Sequence, residues 1–76
     1  MNVDQQVKLI LSDVSGYDVT DIEDSNTLSV DLELDSMDLL NLGNELEAQL
    51  GVEIPDSSVN AGMTVRELVE AIGKLL

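Results

Sequence analysis

Leu34-Asp35-Ser36-Met37-Asp38 is the point where a long polar segment ends and a Leu-rich helical pattern begins. Asp35 stands at the N-cap position of this pattern, where its carboxylate can accept a hydrogen bond from the backbone N–H of Met37 or Asp38. Ser36 then lies in the first turn, with its hydroxyl facing solvent. The free N–H groups and positive dipole end of a helix N-terminus tolerate a phosphate esterified to such a hydroxyl. Ser36 is therefore the candidate site of modification.

The helix that begins at Ser36 is predicted to run to about Leu50, because Gly51 suits its C-terminal end. At about 100° per residue, leucines form a core stripe with Gly43 at its edge. The stripe consists of Leu39, Leu42, Leu46 and Leu50. The outer face and its flanks carry Ser36, Met37, Asp38, Leu40, Asn41, Asn44, Glu45, Glu47 and Ala48.

An amphipathic helix and a long loop precede the site. The helix is expected to begin with a capping box at Asn2 and Gln5 and to end near Ser15, before Gly16. Its apolar face carries Val3, Val7, Ile10, Leu11 and Val14. The polar loop from Gly16 to Leu34 is long for a small domain, so we expect its apolar residues to pin it across the helices. These residues are Tyr17, Val19, Ile22, Leu28, Leu32 and Leu34.

Two further helices are expected downstream. After Pro55, Asp56 can cap a short helix through Asn60. Thr64 and Glu67 form a capping box at the start of the last helix. The core-facing residues of that helix are Val65, Leu68, Val69, Ile72 and Leu76. No stretch alternates as a strand does, so the predicted fold is all-α: a small four-helix bundle with three main helices, one short helix and a long first loop.

Composition indicates one small domain over residues 1–76. The chain has no cysteine and a single aromatic residue, Tyr17, so Leu, Val and Ile must build its core without disulfides. A domain of this size buries about 60% of its unfolded surface, so its stability should be marginal. The N-terminus lacks the basic and apolar runs of a signal peptide, and no stretch reaches the roughly 20 apolar residues of a membrane span. We therefore expect a soluble cytoplasmic protein without membrane insertion. We also expect it to be a monomer.

Charge is distributed unevenly along the chain. The formal net charge is −13, and the basic residues Lys8, Arg66 and Lys74 all lie near the two ends. Such a surface repels nucleic acid and anionic membranes but attracts a partner with a Lys/Arg patch. The alternative is an acidic face that only keeps a small protein soluble.

The residues available for chemistry argue against an enzyme. The chain has neither histidine nor cysteine, which excludes a Ser-His-Asp or Cys-His arrangement. It is also too short to enclose a cleft that would tune a pair of carboxylates. No register of the acidic 18–35 loop supplies the ligand spacing of an EF-hand, so no metal site is predicted and only loose divalent association remains open.

Every other serine is a poorer candidate for modification, because each lies within or at the end of a helix, in the loop, or in the short helix. These are Ser12, Ser15, Ser25, Ser29, Ser57 and Ser58. On local pattern alone, Ser36 could equally be an ordinary first-turn serine behind an Asp cap.

The Asp-Ser-Met-Asp run at 35–38, midway along a short acidic chain, resembles the prosthetic-group site of acyl carrier proteins. The resemblance extends from the first helix to Glu-Ile-Pro-Asp at 53–56. It implies that Ser36 carries 4′-phosphopantetheine, whose thiol holds acyl intermediates as thioesters for enzymes of fatty acid, polyketide or related lipid biosynthesis. It implies as partners a phosphopantetheinyl transferase and acyl-loading and acyl-processing enzymes with basic patches. The missing cysteine also fits, because the working thiol would belong to the cofactor.

The resemblance further implies a partner-binding face on the second helix. Its acids, Asp35, Asp38, Glu45 and Glu47, would dock to basic patches, and Met37 and Leu40 would contact whichever enzyme approaches the cofactor. Three features are unusual: Glu33 stands where a small residue, commonly Gly, is frequent, Asn41 and Asn44 put neutral amides on the outer row, and Gly43 interrupts the helix. At Gly43 either a neighbour packs too close for a Cβ, or the missing side chain leaves space for an acyl chain.

A second hypothesis, from another functional class, is a small acidic helical adaptor. Such a protein would bind a basic partner through the same charged face, without any covalent cofactor. The two hypotheses differ in one covalent property, the mass gained when the chain meets a phosphopantetheinyl transferase.

Overall fold

Three α-helices form the framework in the computed structural model, which describes residues 2–76 with the exception of the Asp56 side chain. They are α1, Val3–Ser15, α2, Ser36–Leu50, and α3, Val65–Leu75. Within the described residues there is no strand, and the only β-type pairing is an isolated antiparallel bridge between Thr27 and Thr64. The all-α prediction is confirmed. None of these helices is long and apolar enough to cross a membrane.

The predicted short helix is reduced to one 3-10 turn. Asp56–Ser58 spans three residues, and the Ser58 N–H donates to the carbonyl of Pro55 at 2.9 Å. Adjacent serines compete for backbone hydrogen bonds and favour turns over helices, so the helix expected through Asn60 does not continue. The four-helix part of the fold prediction is therefore not confirmed, and the predicted cap by the Asp56 side chain lies outside the described residues. A second 3-10 turn, Val19–Asp21, was not predicted.

The ends of the helices follow most of the predicted signals: the capping box of Thr64 and Glu67 is complete, whereas at Asn2 and Gln5 only the N-cap half of the predicted box is present. The Asn2 side chain accepts from the Gln5 N–H at 2.8 Å, and Gly16 closes α1 with a φ of 81°. Gly51 closes α2 in the same left-handed conformation, with a φ of 70°. At such angles a residue with a Cβ is strained, which is why glycine ends both helices.

All buried side chains in the described core are apolar, as composition predicted, and most of them come from the three helices and the long loop. The helices contribute Val7, Ile10, Leu11, Leu42, Leu46, Val65, Leu68 and Ile72, the loop contributes Ile22, Leu28, Leu32 and Leu34, and the segment between α2 and α3 adds Ile54 and Met63. Leu39 and Leu50 of the predicted stripe are partly buried against this core. The prediction for Leu76 is wrong: it is 56% exposed, because α3 ends at Leu75 and the helical period no longer directs its side chain inward.

The long loop is fixed by backbone pairing with the segment that leads into α3. Its residues 24–29 lie beside residues 61–66 on either side of the Thr27–Thr64 bridge. The N–H groups of Leu28 and Ser29 donate to the carbonyls of Met63 and Ala61, and those of Val65 and Arg66 donate to the carbonyls of Asn26 and Asp24. The polar backbone of the loop is thereby satisfied while its apolar side chains enter the core.

Candidate functional site

Ser36 is the first residue of α2 and is exposed. The Asp35 carboxylate accepts from the Asp38 N–H at 2.9 Å, which confirms the N-cap. The Asp38 carboxylate in turn accepts from the Asp35 N–H at 3.2 Å. The sequence did not predict this reciprocal capping box, because Glu or Gln is the usual residue at the position of Asp38. The Asp-x-x-Asp spacing of Asp35 and Asp38 is the sequence feature that could have predicted it.

The helix start suits an esterified phosphate at Ser36. The first backbone N–H groups of an α-helix have no acceptor within the helix, and they point toward the position of its first residue. The carboxylates of Asp35 and Asp38 oppose an added negative charge. Both are nevertheless directed by their hydrogen bonds toward the backbone of the cap, which leaves the exposed Ser36 hydroxyl as the accessible group.

Glu33, two residues before the cap, has a left-handed backbone with a φ of 58°. It lies between Leu32 and Leu34, which are both buried and whose N–H groups donate to the carbonyls of Thr27 and Leu28 at 3.1 and 2.9 Å. A non-glycine residue in this conformation costs about 1 kcal/mol, which glycine would not incur. Backbone geometry thus explains why glycine suits this position, and it makes Glu33 the less favourable residue there. The Glu33 carboxylate accepts from the Tyr17 hydroxyl at 2.7 Å.

A cleft of about 190 Å³ runs along α2 below the site. It is lined on α2 by Leu39, Leu40, Gly43, Asn44 and Glu47, and on the opposite side by Ile54, Pro55 and Val59. Ser36, Leu40, Gly43 and Glu47 recur at four-, three- and four-residue intervals, which places them on one face of the helix. At 1.5 Å per residue, Gly43 lies about 10 Å along the axis from Ser36. The cleft and the candidate hydroxyl therefore share a face of α2.

The space at Gly43 is open. A Cβ built on this residue meets no heavy atom within 4 Å outside its own helix backbone. Of the two explanations offered for this glycine, close packing by a neighbour is therefore wrong. The other, that the missing side chain leaves space, agrees with the position of Gly43 in the wall of the cleft.

Comparison with known proteins decides the family. Residues 5–72 match the family model described as "Phosphopantetheine attachment site". The chain is also 37% identical over 68 residues to an acyl carrier protein of Rubrobacter xylanophilus, covering 90% of this chain and 84% of that protein.

The chain belongs to the phosphopantetheine-attachment family of carrier proteins. This family is defined by covalently attached 4′-phosphopantetheine, so residues 5–72 are a carrier domain for that group. The alternative of an adaptor without a cofactor is therefore wrong. Carrier proteins work in general with phosphopantetheinyl transferases and acyl-processing enzymes.

Other relatives of the carrier protein are large synthases. It is 31% identical over 71 residues to a 3-methylorcinaldehyde synthase of Sarocladium schorii, and 32% identical over 71 residues to one of a Phoma species. Each match covers 93% of the carrier protein but 3% of the synthase. The chain therefore spans a small part of those relatives and most of the discrete carrier.

The predicted partner-binding residues of the carrier protein fall into two groups. Met37 and Leu40 are 66% and 58% exposed beside Ser36, and Glu45 is exposed on the outer side of α2. Glu47 is only half-buried, and its carboxylate accepts from the Ile54 backbone N–H at 2.9 Å. This contact, which joins the two walls of the cleft, was invisible in the sequence because the residues lie on different elements.

Two of the three basic residues lie near Asp24 of the loop. Lys8 Nζ lies 2.8 Å from one Asp24 oxygen, and Arg66 Nη1 lies 3.9 Å from the other. Lys8 also contacts Asp4 at 3.3 Å. The hydrogen bond from Lys8 lowers the pKa of the Asp24 carboxyl. No basic residue lies on α2, so the acidic residues of that helix have no basic residue within the helix to pair with.

Proposed function

We propose that this protein is a discrete acyl carrier and that the Ser36 hydroxyl is the attachment point of its phosphopantetheine. The observation that supports this residue best is the exposed hydroxyl on the first residue of an Asp-capped helix, on the same face as the cleft at Gly43. When bound, the group supplies a thiol that holds acyl intermediates as thioesters. The carrier delivers them, as a cytoplasmic monomer, to enzymes of fatty acid, polyketide or related lipid biosynthesis.

The residues around Ser36 have separate tasks in this proposal. Asp35 and Asp38 fix the helix start through their reciprocal hydrogen bonds. The free N–H groups of the first turn stabilise the phosphodiester formed on the serine oxygen. Leu40 and the open space at Gly43 offer an apolar surface to an acyl chain. None of these residues performs chemistry, which falls to the partner enzymes.

The partner-binding face proposed for α2 combines charge with apolar contact. Asp35, Asp38, Glu45 and Glu47 supply negative charge for basic patches on the transferase and the acyl-processing enzymes. Met37 and Leu40, both largely exposed, supply the apolar contacts beside the serine. Charge of this kind governs mainly the rate of association, whereas buried apolar contacts lengthen the life of a complex.

Intact-mass measurement tests the assignment of Ser36. The wild type, incubated with a phosphopantetheinyl transferase and coenzyme A, should gain the mass of one phosphopantetheine. Ser36→Ala should keep its helical circular dichroism and gain none. Ser25→Ala, which removes an exposed loop serine, is the matched control and should be modified fully. Modification of the Ser36→Ala variant would show that another residue carries the group.

A further inference from the structure

Tyr17 is tied to the last turn of α1 by its backbone. Its N–H donates to the Ser15 hydroxyl at 3.2 Å, and its carbonyl accepts from the Ser12 hydroxyl at 2.6 Å. Tyr17 follows Gly16, whose left-handed conformation ends the helix. The aromatic ring therefore leaves α1 in a fixed direction and is partly buried against the core.

The Tyr17 hydroxyl bridges to the turn in front of α2. It donates to Glu33 Oε2 at 2.7 Å, across 16 residues of sequence. Glu33 is the only non-glycine residue with a positive φ in the described part of the chain. Glutamate has no intrinsic preference for this conformation, so an external contact must help to hold it there. The tyrosine supplies such a contact.

The conformation of Glu33 determines where α2 begins. The next residue, Leu34, is buried, and its N–H donates to the Leu28 carbonyl at 2.9 Å. Asp35 follows as the N-cap, and Ser36 is the first helical residue. A change of φ at Glu33 would rotate this whole run relative to the core. The orientation of the Ser36 hydroxyl thus depends on a residue three positions away.

We propose that Tyr17 and Glu33 are a positioning pair for the modification of Ser36. Their hydrogen bond holds the left-handed turn and so keeps the start of α2 in the orientation that a phosphopantetheinyl transferase engages. Neither residue touches the reacting atoms. The inference rests on the proposed function, because it takes Ser36 as the attachment site.

Two variants at position 33 distinguish the effect of losing the hydrogen bond from the effect of strain in the backbone. Glu33→Ala and Glu33→Gly both remove the carboxylate, but only glycine adopts a positive φ without strain. Tyr17→Phe removes the other partner and leaves the ring. We expect Tyr17→Phe and Glu33→Ala to lower kcat/KM for phosphopantetheine transfer by roughly two- to tenfold, the range that loss of one hydrogen bond allows. Glu33→Gly should stay close to wild type.

The decisive comparison adds Tyr17→Phe to the glycine variant. In that background the turn no longer needs the tyrosine, so Tyr17→Phe should have no further effect on transfer. If the Tyr17 hydroxyl acted in some way unrelated to Glu33, Tyr17→Phe would reduce the rate equally in both backgrounds, and that outcome would overturn the proposal. So would an unchanged rate for Tyr17→Phe alone. Ile72→Val, which weakens the core of α3, controls for general loss of stability and should leave the rate unchanged.

A spectroscopic measurement detects the hydrogen bond between Tyr17 and Glu33 in the absence of a transferase. Tyr17 is the only aromatic residue, so the near-ultraviolet absorbance titration reports on it alone. The hydrogen bond to Glu33 raises the pKa of Tyr17, with smaller effects from burial and from the charges of Glu33 and Asp31. Glu33→Ala and Glu33→Gly should both lower that pKa. An unchanged titration would show that the bond is absent in solution and would overturn the proposal.

The order of experiments keeps the two proposals distinguishable. Mass measurement on wild type and Ser36→Ala comes first, and its failure would overturn the attachment site. If the wild type is modified at Ser36 and Tyr17→Phe is modified at the same rate, only the positioning pair is overturned.

Discussion

The Glu47 carboxylate holds the backbone N–H of Ile54 at 2.9 Å, and so ties the helix that carries Ser36 to the segment opposite it. Ile54 is buried, and Glu47 is half-buried in the cleft wall. An acid that the sequence assigned to partner binding therefore also supports the fold. Losing it would leave a partly buried N–H without an acceptor.

Glu47→Ala should accordingly lower the free energy of unfolding by about 1 kcal/mol, the usual net contribution of such a bond. Glu47→Gln keeps an acceptor oxygen and should lower it less. Denaturant unfolding monitored by circular dichroism measures both. Glu45→Ala, two residues earlier on the opposite and exposed side of α2, is the control and should be nearly neutral. Equal effects at the two positions would contradict a structural role for Glu47.

Gly43→Ala tests the open space in the cleft. Without an acyl chain, alanine should raise the free energy of unfolding by about 0.5–1 kcal/mol, because glycine is unfavourable inside a helix and a Cβ meets no neighbour there. If the cleft receives the chain, the extra stability gained on loading a medium or long acyl group should shrink. Thermal melts of the unloaded and acyl-loaded forms measure both effects.

Gly73→Ala is the matched control for that experiment. Gly73 lies inside α3, and a Cβ there also meets no atom within 4 Å. It lies outside the cleft lining, so alanine should stabilise the unloaded protein without changing the acyl-dependent shift. Equal shifts in the wild type and Gly43→Ala would rule out the cleft as the acyl site.

Glu45→Lys tests the charge of the partner-binding face. Glu45 is exposed, so charge reversal should slow association with a basic partner enzyme while leaving stability nearly unchanged. The loss in kcat/KM should be largest at low salt and should fade as ionic strength rises. Glu70→Lys on α3 changes the net charge equally and should have a smaller effect. Asp38→Lys is less informative, because it also breaks the capping box.

Asp24→Asn tests the cation cluster through its pH dependence. The hydrogen bond from Lys8 lowers the pKa of Asp24 in the folded state. A carboxyl with a lowered folded pKa adds stability above its unfolded pKa, and this stability is lost as pH falls through the folded pKa. The variant should therefore melt below the wild type at pH 7, and the gap should close in acid. A gap independent of pH would assign the effect to something other than ionisation.

Ionic strength tests the contribution of self-repulsion. A net charge of −13 on 76 residues opposes folding. Added salt or millimolar Mg²⁺ should raise the melting temperature, by roughly 5 °C if about 1 kcal/mol of repulsion is screened. A melting temperature indifferent to ionic strength would count against repulsion as a limit on stability.

Local rules predicted the helices well, because their signals lie within a few residues of each end. Asn2, Asp35 and Thr64 mark the starts of helices as expected, and Gly16 and Gly51 mark ends. The rules failed after Pro55, where the polar turn stops after three residues. They failed again at Leu76, because a periodic pattern does not show where the neighbouring core ends.

The candidate site likewise has features that neighbouring residues predict and features that they do not. Ser36 and its Asp cap could be identified from adjacent residues alone. The bond from Tyr17 to Glu33 and the bond from Ile54 to Glu47 could not, because each depends on how distant segments meet in the folded chain. The left-handed backbone at Glu33 likewise lies between two buried leucines whose N–H groups donate to the carbonyls of Thr27 and Leu28, contacts that residue preference does not reveal.

Because Lys8 and Arg66 both lie near Asp24, the charge of this protein is distributed asymmetrically. Two of the three basic residues lie where α1 and α3 meet the loop, Lys74 lies in the last turn of α3, and α2 has none. If the partner enzyme is basic, as proposed above, its field would exert a torque on this uneven charge and turn α2 toward the enzyme before the surfaces touch. The two partners would then search fewer mutual orientations, and a larger share of their collisions would begin with Ser36 facing the enzyme.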